Sequence, residues 1–506
     1  MENALKRFWE TNKRVIVICL IATFVWGMAA HGYHFLNFNY SHDTLDGIYT
    51  GGYENDHKTE LGRGFSPVYR YLIRGLFTMP WITGLLALLW IAMAVYFVVR
   101  IFDVKSAGLM VLISGVMTVN LTVIAVAATY MFDFDVNMCA MMLSCLAAWL
   151  WRSRTRGWFV LGAVCVGVGM GMYQSYVTAT IALVMMALLM DLMDGKKPLE
   201  ALKQGVMGAL MVLLGTGVYF VSIELIGRLF GVELIARTNT MVATGSTDVS
   251  SIADLIKGVY TTWWDYYFNP HSSYLVPGTM RVINMALMVF AAFVIIRTLV
   301  RRDVGVLAKV LFVGIAALLP LGMNVFYVLA SGFLHDLMKY SFCLFYVLCL
   351  LWMARQPVKP VKWACCALSC VMLWSGVQTA NTVYFKKEMI WDATYSRMTN
   401  VVYDMLYYGY VPGETEVFIS GNIPFGSMTG FEEVDEITGV DHNNAITRDQ
   451  KSIRSYFQYV FGDKMVFATE EQQEAIMATE DFEYMSRWPD EGYITIVDDV
   501  MVVKLN

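Results

Sequence analysis

Long apolar stretches alternate with short polar turns up to about residue 380, and no apolar stretch of comparable length follows. A helix needs about 20 mostly apolar residues to cross a bilayer. About eleven segments approach that length: 15–35, 80–100, 107–128, 136–151, 157–173, 174–191, 204–227, 281–300, 305–330, 337–354 and 361–380. The run 157–191 is too long for one span, and Tyr173-Gln174-Ser175 interrupts it, so it is read as two. The first span resembles a secretory signal in position, but its apolar core is long and further spans follow, which predicts an uncleaved helix. Three polar segments are long: 36–79, 228–280 and 381–506.

The last of these segments changes character. Residues 391–408 show helical periodicity through Met398, Val401, Val402, Met405 and Leu406. TEVFIS and MVFAT read as strands, RSYFQYVFG as a helix closing at Gly462, and ITIVDDVMVVKL as a hairpin around Asp498-Asp499. The fold class is therefore mainly α: a polytopic membrane bundle (1–380) followed by a small C-terminal α/β extracytoplasmic domain (381–506).

Composition agrees. Of 506 residues, 57% are hydrophobic and 16% charged, against about 25% charged in ordinary soluble domains. Mean hydropathy is +0.52. The net charge of −5 suggests no nucleic-acid partner. All nine cysteines lie in apolar runs, which argues against a disulfide framework or a zinc site.

Charge sets the orientation. With the N-terminus in the cytoplasm, the inner segments are all basic: Lys6, Arg7, Lys13 and Arg14; Arg100 and Lys105; Arg152, Arg154 and Arg156; Lys196, Lys197 and Lys203; Arg297, Arg301, Arg302 and Lys309; Arg355, Lys359 and Lys362. The outer turns near 128–136, 173–174 and 331–337 have no Lys or Arg. An odd number of spans then places the C-terminal domain outside.

The candidate chemistry gathers on that outer side. Residues 37–77 carry five acids, four bases and two histidines, and are read as a catalytic loop. Asp43 and Asp46 in SHDTLDG are three apart, on one side of a helical turn. Either carboxylate suits a general base that takes a proton from an acceptor hydroxyl; the plainer role is a short helix capped by Ser41 or Asp43. In ELGRGFSPVYRYLIRG, Ser66 and Pro67 read as N-cap and first residue of an amphipathic interfacial helix. Arg63, Arg70 and Arg74 have the guanidinium chemistry that grips phosphate; for Arg70 and Arg74 the expectation is ordinary snorkelling beside headgroups.

Asp133 and Asp135 in YMFDFDVNM suit a sugar, a metal or an arginine. His335, Asp336 and Lys339 share a later outer turn, where Lys339 calls for an anionic partner. Tyr173, Gln174 and Tyr176 offer hydrogen bonds to a sugar. The cluster Trp263, Trp264, Tyr266, Tyr267 and Phe268 suits the headgroup zone, as an anchor or a lipid entrance. No cofactor is called for, and metal dependence stays open, because two acids are a thin donor set for a divalent cation. Few ionisable residues lie deep in the spans, which speaks against a coupled carrier.

HDTLDG (42–47), LGRGFSPVYRYLIRG (61–75), PW (80–81), FDFDV (132–136), YQSY (173–176), HDLMKYS (335–341) and AN-x-x-Y (380–384) form an ordered set. The set resembles the bacterial glucosyltransferase II family, related to O-antigen glucosyltransferases of GT-C-like architecture. It departs in placing Gly64-Phe65 after Gly62-Arg63, where a bulkier residue after the arginine is expected.

The resemblance implies a polyprenyl-phosphate-sugar donor and transfer of one hexose, with inversion, to a cell-envelope glycan outside the bacterial cytoplasmic (inner) membrane. It implies Asp43 as base with Asp46 as alternative. Arg63, Arg74 and Lys339 would bind the donor phosphate. Asp133, Asp135, Tyr173, Gln174, His335 and Asp336 would bind substrate. A lipid-linked-sugar flippase and a glycan polymerase or ligase are the other classes, and an envelope scaffold a more remote one.

Overall fold

The computed structural model describes residues 2–37, 39–234, 252–269, 278–423, 431, 434, 437–440 and 450–505. In chain order the first helices are α1 (Glu2–Leu36), α2 (His42–Asp46), α3 (Tyr53–Glu60), α4 (Phe65–Ile73), α5 (Pro80–Ile101), α6 (Ala107–Thr118), α7 (Leu121–Thr129), α8 (Phe134–Ser153) and α9 (Trp158–Met172). Then come α10 (Val177–Met193), α11 (Pro198–Phe230), α12 (Ile252–Phe268), α13 (Gly278–Val300), α14 (Val306–Met323), α15 (Val325–Leu329), α16 (Cys343–Ala354) and α17 (Lys359–Tyr407). Among the described residues, eight helices are long and apolar enough to cross a membrane. The pair α6 and α7, bent by 44° at Val119-Asn120, makes a ninth if it is one broken span. Each of the eleven expected segments is helical, but Trp158–Met172 and Tyr340–Ala354 are short, so a count of eleven full spans is not reached.

The chain forms two compact units. The first comprises Met1–Leu36, Thr50–Ala127 and Met131–Asn381; the second comprises Asn37–Tyr49, Ala128–Tyr130 and Thr382–Asn506.

In the first unit, α8 and α10 are the most enclosed of the candidate spans. α8 packs between α5 and α9, and α9 against α11. Small residues allow the close approach: a Cβ on Gly167 would fall 2.9 Å from the Gly215 carbonyl, and one on Gly215 would fall 2.8 Å from that of Ala163. At one end of α8 and α10, Arg152 donates to both oxygens of buried Asp191, at 2.6 and 2.8 Å, and Lys196 approaches the same carboxylate at 2.9 Å. Arg355 binds Asp194 at 2.8 Å.

The expected aromatic cluster divides. Tyr266 and Tyr267 are buried, with the Tyr267 hydroxyl donating to the Phe342 carbonyl at 2.7 Å, while Trp264 is exposed.

The second unit carries a four-stranded sheet in the order β2-β1-β4-β3. β1 (Glu416–Ser420) is parallel to β2 (Val466–Phe467) and to β4 (Val500–Lys504); β3 (Ile494–Val497) pairs antiparallel with β4. Asp498 and Asp499 take φ of 48° and 64°, as a tight hairpin requires at both central positions. A short helix α18 (Gln450–Tyr456) runs into a single π turn that ends at Gly462, φ 73°. Phe418, Ile476, Met485, Val500 and Val502 belong to its apolar core.

The expected strands and hairpin are present. The helical periodicity over 391–408 belongs to α17, which runs without a break from Lys359 to Tyr407. Two short helices, Glu470–Met477 and Glu480–Tyr484, lacked a periodic apolar signal.

Candidate functional site

The first unit builds an ionic cluster from α3, α4 and the start of α8. Asp133 is its centre. Its carboxylate meets Lys58 at 2.7 Å, accepts a hydrogen bond from Arg70, and accepts one from the Ser66 hydroxyl at 3.4 Å. Glu54 adds a second acid, 3.5 Å from Lys58 and 3.6 Å from Arg70. Burial opposes the charge of Arg70, but Asp133 and then Glu54 outweigh it and hold the guanidinium above its usual range.

Arg74 pairs with Asp135 at 2.9 Å, both side chains fully enclosed, and donates to the carbonyls of Phe77, at 3.0 Å, and Phe132. The expected snorkelling is therefore reversed. α4 turns Arg70 inward and exposes Tyr71, Leu72 and Ile73. That inversion is economical where the surroundings are apolar, since lipid accepts a tyrosine or leucine face and not an unpaired charge.

Ser66 also departs from expectation. α4 begins at Phe65, its N-cap position is Gly64, and the Ser66 hydroxyl serves Asp133 instead of the helix end.

Arg63 stands apart. α3 ends with Gly62 at φ 71°. The Gly62 N–H donates to the Thr59 carbonyl at 2.9 Å and the Arg63 N–H to the Lys58 carbonyl at 2.8 Å. These paired bonds make a Schellman motif, in which the left-handed residue is glycine. Glycine is needed twice over, because a Cβ on Gly62 would sit 2.6 Å from the Tyr219 hydroxyl. The Arg63 guanidinium lies 4.3 Å over the Tyr173 ring and donates to Gln174 Oε1 at 3.3 Å. Gln174 in turn donates to the Leu61 carbonyl at 2.8 Å and to the Tyr219 hydroxyl at 3.1 Å. Among the described residues no carboxylate pairs with Arg63, whereas Lys58 and Arg70 each have two and Arg74 has one.

Lys339 also has one: it meets Asp336 at 2.8 Å, both buried, in a turn whose Asp336 carbonyl accepts from Thr122 at 3.2 Å. His335 caps that turn through Leu337 N. Tyr176 lies between Tyr173, which it meets edge-on, and Tyr340, which is tilted to it, with ring centroids 5.6 and 5.9 Å apart. Among the described residues no group of three or more His, Cys, Asp or Glu is placed to hold a metal ion.

Asp43 and Asp46 belong to the second unit, on α2. Ser41 caps that helix, accepting from Thr44 N at 3.2 Å, and both hydroxyls donate to the Thr129 carbonyl, at 2.6 and 2.7 Å. The two acids differ in their surroundings. Asp46 approaches Lys451 at 3.4 Å and accepts from Ser455 at 3.3 Å, on the α18 helix. Asp43 keeps about a third of its side chain exposed, with His42 Nε2 3.3 Å away. Buried Lys387 bonds the neighbouring Ala128 carbonyl.

The family model described as Glucosyl transferase GtrII matches residues 32–354, well over half of the chain. The chain belongs to the GtrII glucosyl transferase family. Comparison with curated proteins and with solved structures returns no match.

Family membership and the apolar helices make this protein a multi-pass membrane glycosyltransferase, with a sugar donor and an acceptor as its partners. The matched segment takes in every candidate residue from Asp43 to Lys339. The match ends at residue 354, before AN-x-x-Y (380–384) and the C-terminal segment. Lys58 and Glu54 were missed as members of the cluster, and Tyr219, which accepts from Gln174 beside Arg63, was missed as well. The signal for Glu54 and Lys58 was a charge pair spaced i, i+4 on a short helix, which sequence alone does not separate from a solvated face.

Proposed function

We propose that this GtrII-family protein transfers one hexose from a polyprenyl-phosphate donor to a cell-envelope glycan on the outer face of the bacterial cytoplasmic membrane. The observation that carries the reading is Arg63. It is a half-buried guanidinium, fixed by a ring and an amide, without a carboxylate among the described residues. Such a group has capacity left for an external anion, and a phosphate monoester or diester is the anion a guanidinium fork fits.

The acceptor hydroxyl oxygen attacks the anomeric carbon as the bond to the phosphate oxygen breaks. The bonding pair leaves with polyprenyl phosphate, and inversion follows from a single displacement. Asp43 takes the hydroxyl proton; Asp46, already tied to Lys451 and Ser455, is the weaker choice. Arg63 stabilises the charge that develops on the departing phosphate. Lys339 and Arg74 are further phosphate-ligand candidates, each of which would have to share its cation with an acid. Tyr173, Gln174, His335, Asp336, Asp133 and Asp135 are candidates for orienting the sugar or acceptor. Of these, Tyr173 and Gln174 are supported most, through their contact with Arg63.

The test is purified protein in lipid, offered polyprenyl-phosphate sugars with and without an envelope glycan. Release of polyprenyl phosphate that depends on the glycan supports the reading. Movement of labelled lipid between leaflets without release points to a flippase instead.

A further inference from the structure

The backbone of Arg63 is held on both sides by residues that share one carboxylate. Upstream, the Lys58 carbonyl accepts the Arg63 N–H at 2.8 Å. Downstream, the Ser66 N–H donates to the Arg63 carbonyl at 2.9 Å. The side chains of Lys58 and Ser66 both reach Asp133, at 2.7 and 3.4 Å. Asp133 thus closes a loop around the turn: carboxylate, Lys58, Arg63, Ser66, carboxylate. Lys58 is 6% exposed, Ser66 1% and Asp133 6%, so water does not compete strongly for these bonds.

Phe132, next to Asp133, gives the floor. Lys58 Nζ lies 4.9 Å and Arg70 5.6 Å from its ring centroid. Helix capping alone would not require this arrangement. A Schellman motif needs only Gly62 and the backbone, and α4 begins without any side-chain cap.

We propose that Lys58 and Ser66 are positioning residues for Arg63, with Asp133 as their common anchor. They do not touch the substrate. They fix the φ and ψ of the Arg63 turn so that the guanidinium is held over Tyr173 before the donor arrives. A positioned cation pays little ordering cost on binding an anion. Loosening its backbone therefore weakens donor binding and leaves acceptor binding alone. The inference rests on the reading of Arg63 as the donor-phosphate ligand.

The test is a double-mutant cycle on the KM for the donor and, separately, for the acceptor. Ser66→Ala removes one hydroxyl and leaves no buried charge unpaired, since Asp133 keeps Lys58 and Arg70. It is expected to raise the donor KM about five-fold, with the acceptor KM unchanged and with Ser66→Thr restoring the parent value. Lys58→Met is expected to act in the same direction and more strongly. In an Arg63→Ala background, Ser66→Ala is expected to add less than about two-fold, because the group it positions is gone.

A Ser66→Ala effect that multiplies fully with Arg63→Ala, or that falls equally on both substrates, overturns the inference while Arg63 keeps its role. An unchanged donor KM in a folded Ser66→Ala protein overturns it too. An unchanged donor KM in Arg63→Ala itself removes the underlying reading, and the inference with it.

Discussion

Arg74 and Asp135 form an ion pair at 2.9 Å in which neither side chain is exposed. The two lie far apart in sequence, one closing the short helix α4 and the other in the first turn of α8. Removing one partner of such a pair leaves the other charge buried, which costs about 3–5 kcal/mol. Arg74→Met should therefore lower the apparent melting temperature sharply. The double replacement Arg74→Met with Asp135→Leu should recover much of the loss, since neither buried charge remains. Thermal unfolding in detergent or nanodiscs checks both. A folded Arg74→Met protein with parent stability and a raised donor KM would instead mark Arg74 as a phosphate ligand.

Gly62 is constrained by its backbone and by its neighbour. Alanine there meets φ of 71° and a hydroxyl 2.6 Å away. The left-handed conformation alone costs about 1–2 kcal/mol. Gly62→Ala should impair turnover, and adding Tyr219→Phe should relieve the overlap and return part of the activity. A parent-like rate in Gly62→Ala would show that the Arg63 turn tolerates displacement.

Tyr173 supports Arg63 by a cation–ring contact at 4.3 Å. Such contacts contribute about 0.5–2 kcal/mol. Tyr173→Leu should raise the donor KM by about two-fold to about 30-fold, and Tyr173→Phe should come close to the parent. Steady-state kinetics with varied donor distinguishes them. Equal losses in the two variants would place the role in the hydroxyl instead of the ring.

Asp191 provides a control at the other end of α8, where it accepts from Arg152 and meets Lys196. Its partners are partly exposed, so solvent screening reduces the cost of losing the charge, to about 1–2 kcal/mol. Asp191→Asn should lower the melting temperature modestly and leave both KM values unchanged. A selective rise in either KM would link this end of the bundle to substrate.

The spans were legible because apolar runs of that length leave the backbone few alternatives to a helix in lipid. The hairpin at Asp498-Asp499 was legible for a similar reason, since two short polar residues between alternating apolar strands fit a tight turn. The break at Tyr173 was visible as a polar interruption. The direction of α4 was not. The familiar rule puts charge outward, and Arg70 faces inward because Asp133, 63 residues away, meets it there.

The role of Ser66 was hidden for the same reason. A serine before a proline reads as a cap, and only the tertiary structure places Asp133 within its reach. The candidate acids at 43 and 46 were visible as a pair. What separates them, Lys451 and Ser455 beside Asp46, comes from the distant α18 helix.

The most direct test of the central claim compares the parent with Asp43→Asn in lipid, following polyprenyl-phosphate release by mass spectrometry. The substitution changes one carboxylate to an amide of the same shape. Glycan-dependent release by the parent, reduced about 10²–10⁴-fold in a variant with an unchanged melting temperature, is the predicted result. Parent-like release by a folded Asp43→Asn protein would contradict Asp43 as the base. No release by the parent with any donor would contradict the lipid-phosphate reading itself.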